Sequence, residues 1–468
     1  MRRSLPDPTA PSWRESGLWT VSLGTLFFLV YGGTNWITTL RSDVGTLYLR
    51  WERMIPFVPA LIIPYMSIDL LFAASPFLCT DRGELHTLAR RAIFAILIST
   101  GCFLAFPLQF AFDRPQVNGF LGKIFALFTS FDRPYNLLPS LHISLLVIIW
   151  IVYRSHTKGA LKVVLAWWFC LIALSTVLTY QHHVLDVIAG FIVALLDFHL
   201  FPEQRDVTSQ NERGAIDSPK PPTAKLHARR LRVGARYTLL ALAFLYAARM
   251  ARPWTLFFLW PATAFTIMAA AYFGAGAIVF RKADGRLPIT TWLLLAPYLW
   301  GAHVSLAHYR RTGPAYAEIV PGILIGRKMN EAESKALTQL GVRAVLDLTA
   351  EHSESPTFLR LRYRNVPILD LTAPKPGQFD EAIAFIRQHS SRGPVYIHCA
   401  LGLSRCACIA AAYLVAQGLA QTVPEAIHQI RCVRPEIVLP SDLIDELACF
   451  QPNPDVRAVA AQVSVGLG

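Results

Sequence analysis

The feature that most constrains this chain is a series of apolar runs, each near the roughly 20 residues that cross the hydrocarbon core of a bilayer. They fall at 18–38, 55–74, 92–112, 141–153, 160–180 and 184–201, then at 237–250, 254–280 and 288–308. Backbone in lipid must satisfy its own hydrogen bonds, so such runs fold as helices. The run at 141–153 is short unless it starts near Leu137, and 237–250 is short enough to lie in the interface. Composition agrees: 53% of residues are hydrophobic and 16% charged, and mean hydropathy is +0.39. Residues 1–15 are too polar for a cleavable signal peptide, so the first run reads as a retained span. The expected fold class is an all-α polytopic membrane bundle, a six-helix core plus two or three further spans, followed by an α/β domain. Asp69 is an acid inside the second run, where an intramembrane carboxylate is often functional.

A polar segment separates the two sets of runs. It includes Ser218-Pro219-Lys220-Pro221-Pro222, the composition of a linker. Lys225, Arg229, Arg230, Arg232 and Arg236 follow with no acidic residue among them. Excess Lys and Arg keep a segment cytoplasmic and attract anionic headgroups. The formal net charge of +13 is thereby explained by topology. No basic and aromatic interleaving points to nucleic acid, so none is expected as a partner. The domains expected are 1–202 (membrane domain), 203–236 (basic linker), 237–310 (further helices) and 315–455 (α/β domain).

In the last of these, residues 395–408 read VYIHCALGLSRCAC. A short apolar strand runs into His398-Cys399, five residues intervene, then Arg405 opens an apolar helix. Loop amides gathered at a helix N-terminus form a nest for phosphate oxygens. The same positive field favours the thiolate of Cys399. Arg405 offers a planar two-donor fork, and Gly402 lets the backbone bend tightly. Upstream, 344–348 (AVLDL) reads as a buried parallel strand, and 366–370 as another that ends at Asp370 before a Pro-rich loop.

Residues 315–450 resemble the dual-specificity branch of the cysteine-dependent protein tyrosine phosphatases. The resemblance implies a phospho-cysteine intermediate on Cys399, with Arg405, Gly402 and Ser404 holding the phosphoryl group. It places a general acid on the loop after the second strand, hence Asp370, with Asp380 and Asp347 as alternatives. The sequence departs from the pattern at Cys406, where the family has Ser or Thr. A thiol donates a hydrogen bond less well than a hydroxyl. Slow turnover, a resolving partner for oxidised Cys399, or simple packing are the readings of Cys406.

The membrane half carries a second pattern: AFDRP at 111–115, DRPYNLLPSLH at 132–142 and STVLTYQHHVLD at 175–186. These resemble the type 2 phosphatidic acid phosphatase superfamily, closest to the branch with inositol-phosphorylceramide synthase, which has Pro-Ser-Leu-His. The resemblance implies His182 as nucleophile, Asp186 orienting its ring and His142 protonating the leaving oxygen. It puts Ser140 and Arg114, with Arg133 the alternative, on the phosphate. Ser175-Thr176 stands where the family has Ser-Arg, and the usual upstream lysine is absent. His183 competes with His182, but only His182 has the four-residue spacing to Asp186.

With Arg2 and Arg3 cytoplasmic, the histidine residues face the outer side. The side of the tail depends on the second set of runs. Three spans put it outside; two put it inside. Arg310-Arg311 and an odd number of tail cysteines favour the inside, whereas Arg281, Lys282 and Arg286 argue against it. The expectation is a multi-pass protein of a bacterial inner membrane with a cytoplasmic C-terminal domain. The expected function is a bifunctional membrane phosphatase acting on a phosphorylated lipid, a phosphoprotein, or both. Neither half requires a metal or cofactor, and no Cys-x2-Cys spacing occurs. The apolar Ala400, Leu401 and Leu403 tilt the tail toward a monophosphorylated lipid or a phosphoprotein. The alternatives are a lipid headgroup transferase with a regulatory tail, and a tail that binds phosphotyrosine without catalysis.

Overall fold

The computed structural model describes residues 10–131, 133–202, 224–248, 253–311 and 313–449. Asp132, the Pro-rich part of the linker and the end of the expected last domain lie outside the described residues. The chain divides into two compact units, Met1–Asn211 with Leu245–Trp260, and Glu212–Phe244 with Pro261–Gly468. The break therefore groups the end of the basic segment and 261–310 with the α/β domain.

The first unit is helical: α1 (Trp13–Thr39), α2 (Ile62–Leu78), α3 (Arg82–Ala105), α4 (Gly119–Phe131), α5 (Leu141–His156), α6 (Gly159–Leu178) and α7 (Val184–Leu200). Ser12 and Asp81 cap α1 and α3 by accepting from the Glu15 and Glu84 amides. α5 packs on α2, α3, α6 and α7, and its buried face (Leu141, Ile143, Leu146, Ile149, Val152) forms the centre of the apolar core. α3 begins ten residues before the expected run and stops at Ala105. Pro107 disfavours helix at Phe106, and Arg91 hides its charge by donating to the Phe201 carbonyl at 2.9 and 2.6 Å.

Among the described residues, six helical stretches are long and apolar enough to cross a membrane: Trp13–Thr39, Pro59–Leu78, Arg82–Ala105, Gly159–Leu178, His227–Ala248 and Leu259–Phe280. α5 and α7 are shorter, at 16 and 17 residues. Two expectations change in the second set. The run at 237–250 is the end of α8 (Ala224–Ala248), whose basic first turns are good helix formers and extend it to spanning length. The run at 288–308 is not one span. Pro297 has no amide to donate back and breaks it into α10 (Ile289–Leu294) and α11 (Ala296–Tyr309). Between α8 and α10, α9 (Leu259–Ala270) continues through a π turn and a 3-10 turn to Phe280.

The α/β domain follows: β1 (Tyr316–Val320), β2 (Ile323–Arg327), α12 (Glu331–Gln339), β3 (Ala344–Thr349), α13 (Pro356–Leu359), β4 (Arg362–Ile368), α14 (Pro376–Ser390), β5 (Val395–Cys399), α15 (Arg405–Ala416), α16 (Val423–Val433) and α17 (Ser441–Cys449). The sheet order is β1-β2-β5-β3-β4. β1 is antiparallel at one edge; the other neighbours are parallel. β5 and β3 are buried at every position, as central strands covered on both faces must be. The C-terminal ends of β3, β4 and β5 therefore converge, which is where an open parallel sheet places its ligand site.

Candidate active sites

The expected loop forms as a strand-loop-helix turn, with β5 ending at Cys399 and α15 starting at Arg405. Gly402 sits at φ +73°, and a Cβ there would stand 2.6 Å from the Arg327 amide nitrogen, so glycine is required. Its amide donates to Cys399 Sγ at 3.3 Å. The Cys406 sulfur lies 3.7 Å from that of Cys399. Hydrogen bonding from Cys406, the charge of Arg405 and the Cys406 and Gly402 amides hold the Cys399 thiol well below its ordinary pKa, against its burial. Ser404 occupies the N-cap position of α15, and its carbonyl accepts from the Cys408 amide at 2.9 Å.

Arg405 is 3% exposed and its fork is already held. It donates to both oxygens of Glu351, at 3.0 and 2.6 Å, and to the Ile368 carbonyl at 2.9 Å. Burial disfavours the Glu351 charge, but Arg405 outweighs it and holds the pKa at about 2. Asp370, on the loop after β4, brings Oδ1 to 3.3 Å from Arg405. Partial burial raises its pKa; Glu351 and Cys399 add to the rise and Arg405 opposes it. A carboxyl with a raised pKa beside a depressed thiol is the pairing an acid and a nucleophile need. Of the alternatives, Asp347 is wholly inside the sheet and bonded to Lys282, Tyr363 and the Thr349 amide. Asp380 lies on α14, beyond the loop.

Beneath the loop is a buried polar cluster that the sequence did not announce. His398 Nε2 lies 2.9 Å from Glu354 and 3.8 Å from Asp347. Burial works against its charge, yet the two carboxylates prevail and raise its pKa. Asp347, Glu354 and His398 lie close enough to share an ion. Lys282 already brings a positive charge to Asp347, at 2.5 Å.

In the first unit, His182 and Asp186 come together, Nδ1 to Oδ2 at 3.6 Å. Asp186 also caps α7 by accepting from the His183 amide at 2.8 Å. His183 is separately engaged. Its Nδ1 is 2.7 Å from Glu52, its Nε2 accepts from the Ala111 amide at 3.2 Å, and its ring stacks on Phe110. Both ring nitrogens are thus committed, which leaves His182 as the freer imidazole. Arg114 joins the same segment, donating to the Tyr180 carbonyl at 3.2 Å and to Gln181 at 2.6 Å. His142 stacks on Tyr65 with ring centres 4.2 Å apart. Ser140 is fully buried as the N-cap of α5, and its amide donates to the Asp186 carbonyl at 2.9 Å, tying the two motifs together. Arg133 is exposed. Leu141, the leucine of Pro-Ser-Leu-His, packs in the bundle core.

Glu351, Glu354, Lys282 and Glu52 were missed by sequence reasoning. Glu351 and Glu354 carried one signal, a charged stretch directly after the buried strand β3, where parallel sheets place ligand sites.

Comparison with known proteins finds a family match over each of the two regions that hold these residues. The family described as "Dual specificity phosphatase, catalytic domain" matches residues 323–453, and the PAP2 superfamily matches residues 61–200. The chain is 33% identical over 112 residues to dual specificity protein phosphatase 1-A of Xenopus laevis, covering 23% of this chain and 29% of that one. It is 34% identical over 109 residues to dual specificity protein phosphatase 2 of Homo sapiens, covering 23% and 34%. The chain thus spans about a third of the length of these curated relatives. Among solved structures, PTPMT1 in complex with PI(5)P is 19% identical with a TM-score of 0.27, over 32% of this chain and 99% of that one. Tk-PTP in its active form is 23% identical with a TM-score of 0.27, over 31% and 97%. The chain joins a PAP2-superfamily domain, at residues 61–200, to a dual specificity phosphatase catalytic domain, at residues 323–453.

Proposed function

We propose that this protein is a bifunctional membrane phosphatase with one cysteine-dependent and one histidine-dependent site. The observation that carries the reading is that the Cys399–Arg405 loop, with the Gly402 amide on Cys399, is met at Arg405 by Asp370 from the loop after β4. Cys399 thiolate attacks phosphorus, forming an S–P bond as the P–O ester bond breaks. Asp370 gives its proton to the leaving oxygen. Water then attacks the phospho-cysteine, Asp370 recovers a proton from it, and phosphate leaves with the thiolate restored. Arg405 and the loop amides stabilise charge on the phosphoryl oxygens throughout. Glu351 holds the Arg405 fork in plane before substrate arrives.

In the membrane domain, His182 takes the phosphoryl group, Asp186 steadies its charged ring, Arg114 binds the phosphate and His142 protonates the leaving oxygen. The catalytic domain lies in the cytoplasm. Both attachments of the second helical set support this side. Arg229, in the basic stretch at the start of α8, pairs with Asp442 at 3.0 Å, and Lys282, after the returning helix, pairs with Asp347. One hairpin leaving and returning on the side of the basic segment fits the positive-inside rule.

The test is phosphate release by purified full-length protein from lipid phosphates and a phosphotyrosine peptide, comparing wild type, Cys399→Ser and His182→Ala. Loss of different substrates in the two variants establishes two sites. No release from any substrate by wild type, but phosphate-ester transfer to an added alcohol, replaces hydrolysis with headgroup transfer.

A further inference from the structure

The mouth of the Cys399 site is built partly by apolar helices. Tyr272, in the returning span, donates to the Asp370 carbonyl at 3.0 Å. Ala350 and Leu369, next to Glu351 and Asp370, belong to one apolar cluster with Tyr272, Phe280, Leu295 and Leu299. The Glu354 amide donates to the Gly285 carbonyl at 2.7 Å, and the Leu287 amide to Ser353 Oγ at 2.9 Å. The loop bearing the arginine holder is thus lodged among helices.

Those helices are interfacial in character. At 14 residues α11 reaches about 21 Å, short of the roughly 30 Å of a hydrocarbon core. One side of α10 and α11 is buried against the catalytic loops through Leu295 and Leu299, both 0% exposed. The other presents Trp292, Leu293, Trp300 and Val304 to the exterior, at 37%, 47%, 73% and 51% exposure. Tryptophans beside aliphatic residues on a helix too short to span are the composition of the membrane–water boundary. The ring of His303 on α11 contacts that of His352, with centres 5.0 Å apart, so this helix touches the neighbour of Glu351.

The charge near the loop sets the headgroup. Ala400, Leu401 and Leu403 bring no cation. Arg405 is paired with Glu351, Lys328 with Glu354 and Arg327 with Glu333. Leu371, directly after Asp370, is 47% exposed and gives the lip an apolar edge.

We infer that the Cys399 site takes its substrate from the bilayer surface, and that this substrate is a lipid bearing a single phosphomonoester. The inference rests on the phosphatase reading of Cys399 given above. The acyl chains stay in the leaflet beside α10 and α11 while the phosphate enters the loop. A phosphopeptide approaching from water meets an apolar lip, and Arg405, Lys328 and Arg327 are already paired with carboxylates.

The experiment uses full-length His182→Ala protein in detergent–lipid mixed micelles, with His142→Ala as the second silencing variant should the first not fold. Four phosphomonoesters are compared: long-chain phosphatidic acid, glycerol 3-phosphate, a phosphotyrosine peptide and para-nitrophenyl phosphate. The expected kcat/KM for the long-chain lipid exceeds those for glycerol 3-phosphate and the peptide by at least about tenfold (about 1.4 kcal/mol). The rate follows the mole fraction of lipid in the micelle and disappears with Cys399→Ser. A preference for the peptide, or equal rates for lipid and glycerol 3-phosphate, overturns the inference. Cleavage of para-nitrophenyl phosphate alone overturns it while leaving the phosphatase reading intact. Cleavage of none of the four overturns both.

Discussion

Lys282 Nζ donates to Asp347 Oδ2 at 2.5 Å, with both side chains withdrawn from solvent. The same ammonium also donates to the Thr349 carbonyl and hydroxyl, both at 2.9 Å. A lysine from the segment after an apolar span therefore completes the polar centre of the catalytic domain. Through Asp347 and His398 that centre lies directly under Cys399. The span-bearing segment is part of this domain's architecture, and a fragment starting at β1 would lack one of its internal charges.

Replacing Lys282 by Met leaves Asp347 buried without its cation. Breaking a buried pair in this way costs about 3–5 kcal/mol, which denaturant unfolding of the full chain in detergent should register. The pH sign follows from Asp347, whose pKa Lys282 and His398 depress despite burial. Its stabilising contribution is present above the unfolded carboxylate pKa of about 3.9 and fades as pH falls through the lower folded value. The deficit of Lys282→Met is thus expected to be full at neutral pH and to shrink in acid. Adding Asp347→Asn should recover part of it; strict additivity of the two changes would sink the pairing.

Activity at the cysteine site should show a bell-shaped pH profile. The nucleophile is competent only above the depressed pKa of Cys399, so the rate falls as pH drops through it. The acid is competent only below the raised pKa of Asp370, so the rate falls again as pH climbs through that value. Asp370→Asn is expected to lower kcat on the order of a hundredfold and to remove the alkaline limb. A profile whose alkaline limb survives in the variant would assign the proton to another group.

Cys406 gives the thiolate of Cys399 a weak donor at 3.7 Å where a hydroxyl would serve better. Breakdown of the phospho-cysteine should then be slow, and rapid mixing with an aryl phosphate should give a burst of product. Cys406→Ser is expected to raise the steady-state rate by about tenfold, equivalent to about 1.4 kcal/mol of barrier, and to diminish the burst. An unchanged burst would mean that the Cys406 donor does not set the rate of the slow step after the leaving group departs.

The two adjacent histidines should separate cleanly. His183 is fixed by Glu52 and the Ala111 amide and is 0% exposed. His183→Ala should cost about 1–3 kcal/mol through the unpaired groups it leaves, seen as a lower melting temperature in detergent. His182→Ala should leave the melting temperature nearly unchanged while abolishing phosphate release from phosphatidic acid in a Cys399→Ser background. The reverse pattern would move the nucleophile to His183.

What the sequence displayed, and what it hid, divides along contiguity. Cys399, Gly402 and Arg405 share one turn of chain, so their spacing alone describes the nest. Asp370 was legible because a buried strand and a Pro-rich loop frame it. Glu351 was not, since its partner Arg405 is far along the chain and only the sheet brings the ends of β3 and β5 together. Lys282 and Arg286 read as topology markers; for Lys282 the partner is 65 residues away. The break at Leu295 could have been read from Pro297, but hydropathy averaged over a window conceals a single proline. Glu52 carried no local signal, because an acid in a short 3-10 turn is ordinary surface chemistry until a histidine is folded onto it.

Two ion pairs, Arg229 to Asp442 and Lys282 to Asp347, are among the fastenings of the catalytic domain to the helical segment. Two fastenings remove the swivel that one flexible tether would allow. If the Cys399 site works at the bilayer surface, as inferred above, the thiolate stands at a set height above the leaflet and the loop acts as a ruler. On that inference, a phosphate too close to its acyl chains would not rise to Cys399 and one on a long headgroup would overshoot it, so discrimination among lipids would be a matter of length as well as charge.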